Sequence, residues 1–427
     1  MKSKNPTFFI IAIFVLAILI RGIFVFVIHP PEKYLQSDMK SYYSKAVKLS
    51  QGQKETIFDS FHPPGTHYLY SVFFRLSNPF FWIKIFNILA SVAACFFIYE
   101  STKLLFNQKS ARMALVMSSF NYLFIDLSGY FLSETPFILG LSAMAYFLFK
   151  SIKTERQGLR NFYSFLTGLS IILSASFRSC MVLFFPFLCI WWFINRRKYN
   201  MKSNLIFYSL GFFPLLILML LRVFALTGKW GEIATYGGQI FYANRVRAAH
   251  ITYYDVENNV RYGIKSPVFT QKNYSLTKRL DVGPYDSGFL YREGLKEVRW
   301  DMAKAVWYSL ENVSDLFYST VIWPTSDLEG ILPKIIKYYN TVFVYLVVFP
   351  AGILFIVRLK RMTKSLKIIP YLAILIIIIQ ALVFAGDPRY RVPFDIFFIM
   401  LSSYFYSVIL PAFIFIKKKR QLQVIAH

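Results

Sequence analysis

Long apolar runs recur along this chain, each bounded by charge or proline. A bilayer core of roughly 30 Å takes about 20 helical residues. Runs of that order fall near 7–28, 82–105, 112–128, 131–149, 162–177, 179–194, 204–223, 335–357, 368–385 and 392–415, so about ten transmembrane helices are expected. The first run starts after Lys2 and Lys4, as a signal peptide would. It is too long for one, however, and no small-residue cleavage site precedes His29-Pro30-Pro31, so it reads as an uncleaved span.

The polar positions between the runs set the orientation. Loops that stay in the cytoplasm carry the lysines and arginines. With Lys2 and Lys4 inside, the alternate short loops hold Lys109 and Arg112; Lys153, Arg156 and Arg160; Arg196, Arg197, Lys198 and Lys202; Arg358, Lys360, Arg361, Lys364 and Lys367; and Lys417, Lys418, Lys419 and Arg420. The short loops on the other side hold only Arg178 in one and Arg389 with Arg391 in another. One misplaced span would have scrambled every later loop, so the periodicity supports the whole assignment.

Two segments on that outer side are long, His29 to about Phe81 and about Phe224 to Lys334. They divide the chain into an N-terminal transmembrane core (1–223, with the outer loop 29–81), an extracytoplasmic region (224–334) and C-terminal helices (335–427). In the first loop a short helix is expected from Ser37 or Asp38, with Met39, Tyr42, Tyr43, Ala46 and Val47 on one face and Lys40, Ser44 and Lys48 opposite. Such a helix would lie on the membrane surface. The second segment opens on Gly228, Gly231, Gly237 and Gly238, continues polar and tyrosine-rich, and turns helical from about Gly288 to Phe317.

Composition supports lipid as the solvent, with 56% hydrophobic and 19% aromatic residues. The net charge of +26 would suit nucleic acid, but the basic residues are dispersed between apolar runs and form no single face, so a nucleic-acid partner is not expected. Membrane lipids are. Cys95, Cys180 and Cys189 lie in or beside apolar runs, which argues against a disulfide framework.

Ionisable groups in or at the mouths of spans are where chemistry is expected, since each costs roughly 2.5–3.5 kcal/mol at mid-helix unless paired or hydrated. Lys84 and Glu100 lie near span ends and can snorkel. Arg21 lies deeper and needs an anionic partner or ligand. Asp126 and Glu134 flank a tight outer turn and point to one mouth, although Glu134 with Ser133 could equally cap the next helix. Asp38 is the carboxylate best placed to act as a general base, or else is only an N-cap. His62-Pro63-Pro64-Gly65 is a rigid turn. His62 and His67 do not form a helical metal-ligand pair across those prolines. Arg389 and Arg391, outer arginines against the positive-inside bias, suit an anionic ligand, with an Arg389–Asp387 pair as the structural alternative. No phosphate-binding glycine loop, nucleophile elbow or zinc signature is present.

Taken in order, Arg21, Asp38 with Tyr42, the His62-Pro63-Pro64-Gly65 turn, Ser133-Glu134, Arg178 and Arg389-Tyr390-Arg391-Val392-Pro393 resemble the polyprenyl-phosphate-dependent glycosyltransferases of the GT-C superfamily. That class contains protein O-mannosyltransferases and the lipid A aminoarabinose transferase. Thr235-Tyr236-Gly237-Gly238 and Tyr242-Ala243-Asn244 also look like a segment that bacterial members carry. The resemblance implies an all-α bundle and an inverting transfer of a sugar from a polyprenyl-phosphate donor to a hydroxyl of a glycan, lipid or protein. It implies Asp38 as base, Glu134 as an orienting carboxylate, and Arg178, Arg389, Tyr390, Arg391, Tyr42, His62 and Arg21 as substrate-binding residues. By the same resemblance the site faces the outside of a bacterial inner membrane. Asp38 is followed by Met39 and no Asp-x-Asp occurs in this loop, so a divalent metal stays open and no cofactor is assigned. A transporter or flippase is the rival reading; it would place charges deep in several spans or show two matching halves.

Overall fold

The computed structural model describes residues 6–195, 202–248, 250–256, 259–265, 277–319, 322–362 and 366–412. Seven helical stretches among these are long and apolar enough to cross a membrane: Thr7–Lys33, Pro79–Leu105, Glu134–Lys153, Asn204–Thr227, Leu332–Val357, Leu366–Val383 and Pro388–Ala412. Each coincides with an expected run. The protein is a multi-pass membrane protein, and its large apolar side chains are distributed accordingly. Phe8, Val27, Phe193, Ile194 and Ile356 are exposed on its outside, while Arg21, Glu134, Arg391 and Asp395 are buried within. Lipid takes the place of water around the bundle, so the usual sorting of polar from apolar residues is relaxed.

Helices are numbered in chain order: α1 (Pro6–Ile23), α2 (Asp38–Ser50), α3 (Gly65–Phe73), α4 (Pro79–Leu105), α5 (Gln108–Ser119), α6 (Tyr122–Ser128), α7 (Glu134–Lys153), α8 (Gln157–Phe177), α9 (Phe184–Asn195), α10 (Lys202–Thr227), α11 (Tyr236–Val246), α12 (Ser287–Trp300), α13 (Met302–Tyr318), α14 (Leu332–Phe343), α15 (Phe349–Met362), α16 (Ile369–Val383), α17 (Pro388–Arg391) and α18 (Asp395–Tyr404). The expected span 112–128 is two helices, α5 and α6. Asn121 breaks it, because its side chain accepts the Leu123 N–H at 2.9 Å and starts a new helix. At about 1.5 Å per residue neither piece reaches across the hydrocarbon alone, and the two in succession carry the chain from Ser110, beside Ser407, to Gly129, beside His29 at the outer end of the first span. The 162–177 run is the second part of the longer α8, and 179–194 is a 3-10 turn (Ser179–Leu183) leading into α9.

The main apolar core runs through α4, α7, α8, α10, α16 and α18, with Phe137, Leu148, Phe149, Ile172, Ile376 and Phe397 fully enclosed. A second cluster, with Met39, Tyr42 and Ala46 of α2 against Tyr70, Tyr130 and Phe131, seats the first outer loop on the bundle. The expected amphipathic helix is therefore present, starting at Asp38, but its apolar face packs on the bundle and not on the membrane surface. The second outer segment holds a three-stranded sheet that the sequence pattern did not reveal: β1 (His250–Asp255) pairs antiparallel with β2 (Val260–Lys265) and parallel with β3 (Thr277–Leu280), in the order β2-β1-β3. The helical stretch expected from Gly288 to Phe317 divides at Asp301, whose carboxylate accepts the Lys304 N–H at 2.9 Å and caps α13.

Candidate active site

Four helix ends converge at one end of the bundle. Ser37 turns the chain with φ of 47°, a backbone conformation that L-residues adopt only under constraint, and Asp38 follows as the first residue of α2. No side chain caps α2, so the Asp38 carboxylate is not consumed as an N-cap. Glu134 opens α7, Arg178 ends α8, and Arg389 lies in α17, whose start is capped by Asp387 accepting the Arg389 backbone N–H at 2.7 Å. Asp387 thus serves the backbone of Arg389 and leaves its guanidinium to other partners.

Those partners are the two carboxylates. Arg389 donates to Asp38 Oδ2 through Nη1 at 3.1 Å and to Glu134 Oε1 through Nε. Arg178 donates to the same Glu134 oxygen. Glu134 is wholly buried, and Ser133 Oγ donates to its second oxygen at 3.2 Å. With two guanidiniums on it, Glu134 is satisfied as a buried ion should be, and it holds both arginines in place. The Asp38 side chain keeps 36% of its surface exposed. It is the accessible carboxylate of the pair. Flat aromatic faces support both arginines: the Arg389 guanidinium lies 4.1 Å from the Trp323 ring centre and that of Arg178 5.0 Å from Tyr390.

Asp38, Arg178, Arg389, Tyr390, Tyr42 and His62 face one cavity of about 610 Å³. Its other wall is apolar, with Val182, Leu183, Leu216, Leu220, Ile240 and Ile379. An aromatic group closes the polar end: the His62 ring lies 4.8 Å from Tyr42 and stacks on Tyr236 at 6.0 Å, and Tyr236 Oη is 3.4 Å from Tyr390 Oη. Burial, with Lys45, His67 and Arg389 nearby, holds His62 well below the usual histidine range, so the ring is neutral at pH 7. The Thr235 and Tyr236 N–H groups donate to Ser60 and Phe61 carbonyls at 2.9 and 3.0 Å, tying the second outer segment to the first around this mouth.

Glu134 lies behind Arg178 and Arg389 and does not line the cavity, and Arg391 and Arg21 do not reach it. Arg391, three helical residues past Pro388, points the other way into the bundle. There it pairs with Asp395 at 3.0 Å and donates to Asn340 Oδ1 at 2.7 Å. Arg21 is met by neutral oxygens: it donates to the Ser119 carbonyl at 2.9 Å and to Ser91 Oγ at 2.7 Å, pinning α1 to α4 and α5. Asp126, expected to share a mouth with Glu134, instead accepts from Thr325 Oγ1 at 2.6 Å in a buried site. Lys84 is paired with Glu32 at 2.6 Å.

Sequence reading also missed a polar cluster behind His62. Glu55 accepts from Arg222 Nη2 at 2.6 Å and from Tyr68 Oη at 2.8 Å, and lies 3.5 Å from His67 Nε2. Burial holds His67 down to about 4, so at neutral pH this is a hydrogen bond from a neutral ring and not an ion pair. Nothing at sequence level marked Arg222, at the outer end of an apolar run, as the partner of a glutamate in another loop.

Among the described residues no group of three or more His, Cys, Asp or Glu side chains comes together. The two carboxylates present share a guanidinium, which a cation would have to displace.

Residues 61–222 match the family model of dolichyl-phosphate-mannose-protein mannosyltransferases. That range includes His62, Glu134 and Arg178. The fold is similar to that of the archaeal oligosaccharyltransferase AglB from Archaeoglobus fulgidus in complex with an inhibitory peptide and a dolichol-phosphate, at 15% identity and a TM-score of 0.53 over 98% of this chain and 52% of that one. The same enzyme tethered to an acceptor peptide matches at 12% identity and a TM-score of 0.54, over 95% and 50%. This chain therefore spans about half the length of the oligosaccharyltransferase. ArnT from Cupriavidus metallidurans bound to undecaprenyl phosphate is 10% identical with a TM-score of 0.44, over 96% of this chain and 79% of that one. No curated protein matches the chain by sequence. The fold is thus similar to that of the archaeal oligosaccharyltransferase, and none of these comparisons supports the transporter or flippase alternative.

Proposed function

We propose that the chain is a membrane glycosyltransferase that moves a sugar from a polyprenyl phosphate to an acceptor hydroxyl. The observation that carries this reading is a single cavity lined both by an accessible carboxylate, Asp38, with two guanidiniums, Arg178 and Arg389, and by a set of leucine, isoleucine and valine side chains. A glycosyl phosphate with a long isoprenoid tail has the same division. Its phosphate suits the paired arginines and its tail the wall of leucine, isoleucine and valine.

In the reaction Asp38 accepts the proton of the acceptor hydroxyl while that oxygen attacks the anomeric carbon. The bond from that carbon to the phosphate oxygen breaks, inverting the centre. The leaving phosphate gains negative charge as the bond opens, and Arg389 and Arg178 stabilise it there. Glu134 touches neither reacting atom; it orients the two arginines. Because Arg389 holds Asp38 at 3.1 Å, a donor phosphate that draws the guanidinium away also frees the base. Donor binding thereby prepares the carboxylate for the acceptor. The positive-inside pattern puts this end of the bundle on the extracytoplasmic face, and we place the chain in a bacterial inner membrane. A glycan, lipid or protein bears the accepting hydroxyl.

The test is reconstitution of purified protein with labelled polyprenyl-phosphate sugars and a pool of acceptors. Turnover by the native chain and its loss in Asp38→Asn support the reading. Equal turnover in the variant removes Asp38 as the base, and absence of transfer from every lipid donor removes the enzyme.

A further inference from the structure

We propose that α12 and α13 form an interfacial anchor, with one face of α13 inserted into the outer leaflet of the bilayer. The hairpin belongs to the segment 224–334, which the charge pattern puts wholly outside the membrane. Its exposed surface is not that of an extracellular loop. At the junction, Trp300 is 90% exposed and Met302 66%; one and two turns on, Val306, Trp307 and Leu310 are each more than half exposed.

The helical wheel of α13 separates three sectors. Ala305, Asn312 and Leu316 are buried and face the protein. Lys304, Glu311 and Asp315 form a polar sector. Met302, Val306, Trp307 and Leu310 form a third, apolar and left exposed by the described residues. A helix in water has no use for a second apolar face of this size.

The inner face fixes the depth at which the apolar one lies. Asn312 Nδ2 donates to the Ala381 carbonyl at 3.1 Å, and Arg245 donates to the Leu382 and Val383 carbonyls at 3.1 and 3.0 Å. These are the last residues of the membrane-crossing stretch Leu366–Val383. Their carbonyls, left open at a helix end, take the donors of the outer segment. Gly386 allows the contact, because a Cβ there would collide with the Asn312 carbonyl. α13 is therefore bound to the outer end of a span, at the level where headgroups meet hydrocarbon. The hairpin carries two exposed tryptophans, Trp300 and Trp307, the residue type that interfacial anchors use. Exposed Arg292, Arg299 and Lys304 flank the apolar sector, where they meet anionic headgroups. The same hairpin sends Tyr291 into the cavity. A bilayer-seated α13 thus holds the cavity's outer rim at the leaflet surface. The inference does not rest on the glycosyltransferase reading.

Brominated-lipid quenching tests it on the full chain in vesicles. The contribution of the two tryptophans is the difference between the native protein and the Trp300→Phe, Trp307→Phe double variant, which keeps both positions aromatic. The expected result is that lipids brominated near the headgroup end of the acyl chain quench this difference signal at least twofold more than lipids brominated near the terminal methyl, with little quenching by aqueous iodide. Quenching by iodide and not by either lipid places α13 in water and overturns the proposal. A signal shielded from both that becomes accessible on diluting protein into excess lipid assigns the face to a second copy of the chain, and overturns it equally.

Discussion

Arg389 holds two carboxylates of different standing: Glu134, buried and permanently engaged, and Asp38, partly exposed and releasable. As a general base contributes roughly 100- to 10,000-fold, Asp38→Asn is expected to lower turnover by at least about 100-fold without loss of donor binding, measured by single-turnover assay and donor retention on the same preparation. Arg391 has the opposite profile. Its ion pair with Asp395 is fully buried. Removing one partner of such a pair costs about 3–5 kcal/mol, whereas replacing both by apolar residues is near neutral or better. Thermal unfolding in detergent should show Arg391→Leu strongly destabilised and the double change Arg391→Leu, Asp395→Leu largely restored. If the single change instead left stability intact and raised KM for the donor, Arg391 would belong to the binding site after all.

Helix against helix, α8 and α10 pack backbone to backbone at two glycines. A Cβ on Gly168 would strike the Tyr208 carbonyl, and one on Gly211 the Phe165 carbonyl. In lipid no hydrophobic force drives helices together, and small residues that let backbones touch supply the packing instead. Gly168→Leu or Gly211→Leu should destabilise the fold by about 1–3 kcal/mol, the usual cost of overpacking. Gly158→Ala, on the same helix with open space around it, serves as the neutral control, and thermal aggregation in detergent separates the two outcomes. The separation bears on function as well, since α8 ends at Arg178 and a displaced α8 withdraws that guanidinium from Glu134.

For the molecule as a whole, pH and sidedness give two checks. His67 is buried and held down to about 4, whereas a histidine in the unfolded chain titrates near 6.5. Between those values the unfolded state binds a proton that the folded state refuses. Stability is therefore full above about pH 6.5 and falls as the pH drops toward 4; His62, also depressed by burial, acts in the same direction. His67→Gln should flatten the slope of the unfolding temperature over that window. Cysteines introduced at Gln53 and Glu155, both exposed, should react with an impermeant maleimide from opposite sides of the membrane. Labelling of both from one side would break the alternation on which the outer location of the site depends.

The seven long spans and the amphipathic α2 were legible because lipid solvation imposes run length and charge bias locally, residue by residue. The same held for Asp38, Glu134, Arg178 and Arg389 as a set, since polar groups at span mouths are costly enough to stand out. What the local pattern left open is where a side chain points once helices pack. Arg389 and Arg391 are two residues apart in one motif, yet the helical turn between them sends one into the cavity and the other into a buried pair with Asp395. Arg21 looked like a ligand-binding arginine until backbone carbonyls of α5 and the Ser91 hydroxyl of α4 met it. The Glu55–Arg222 cluster joins residues distant in sequence, and so became visible only when the chain had folded.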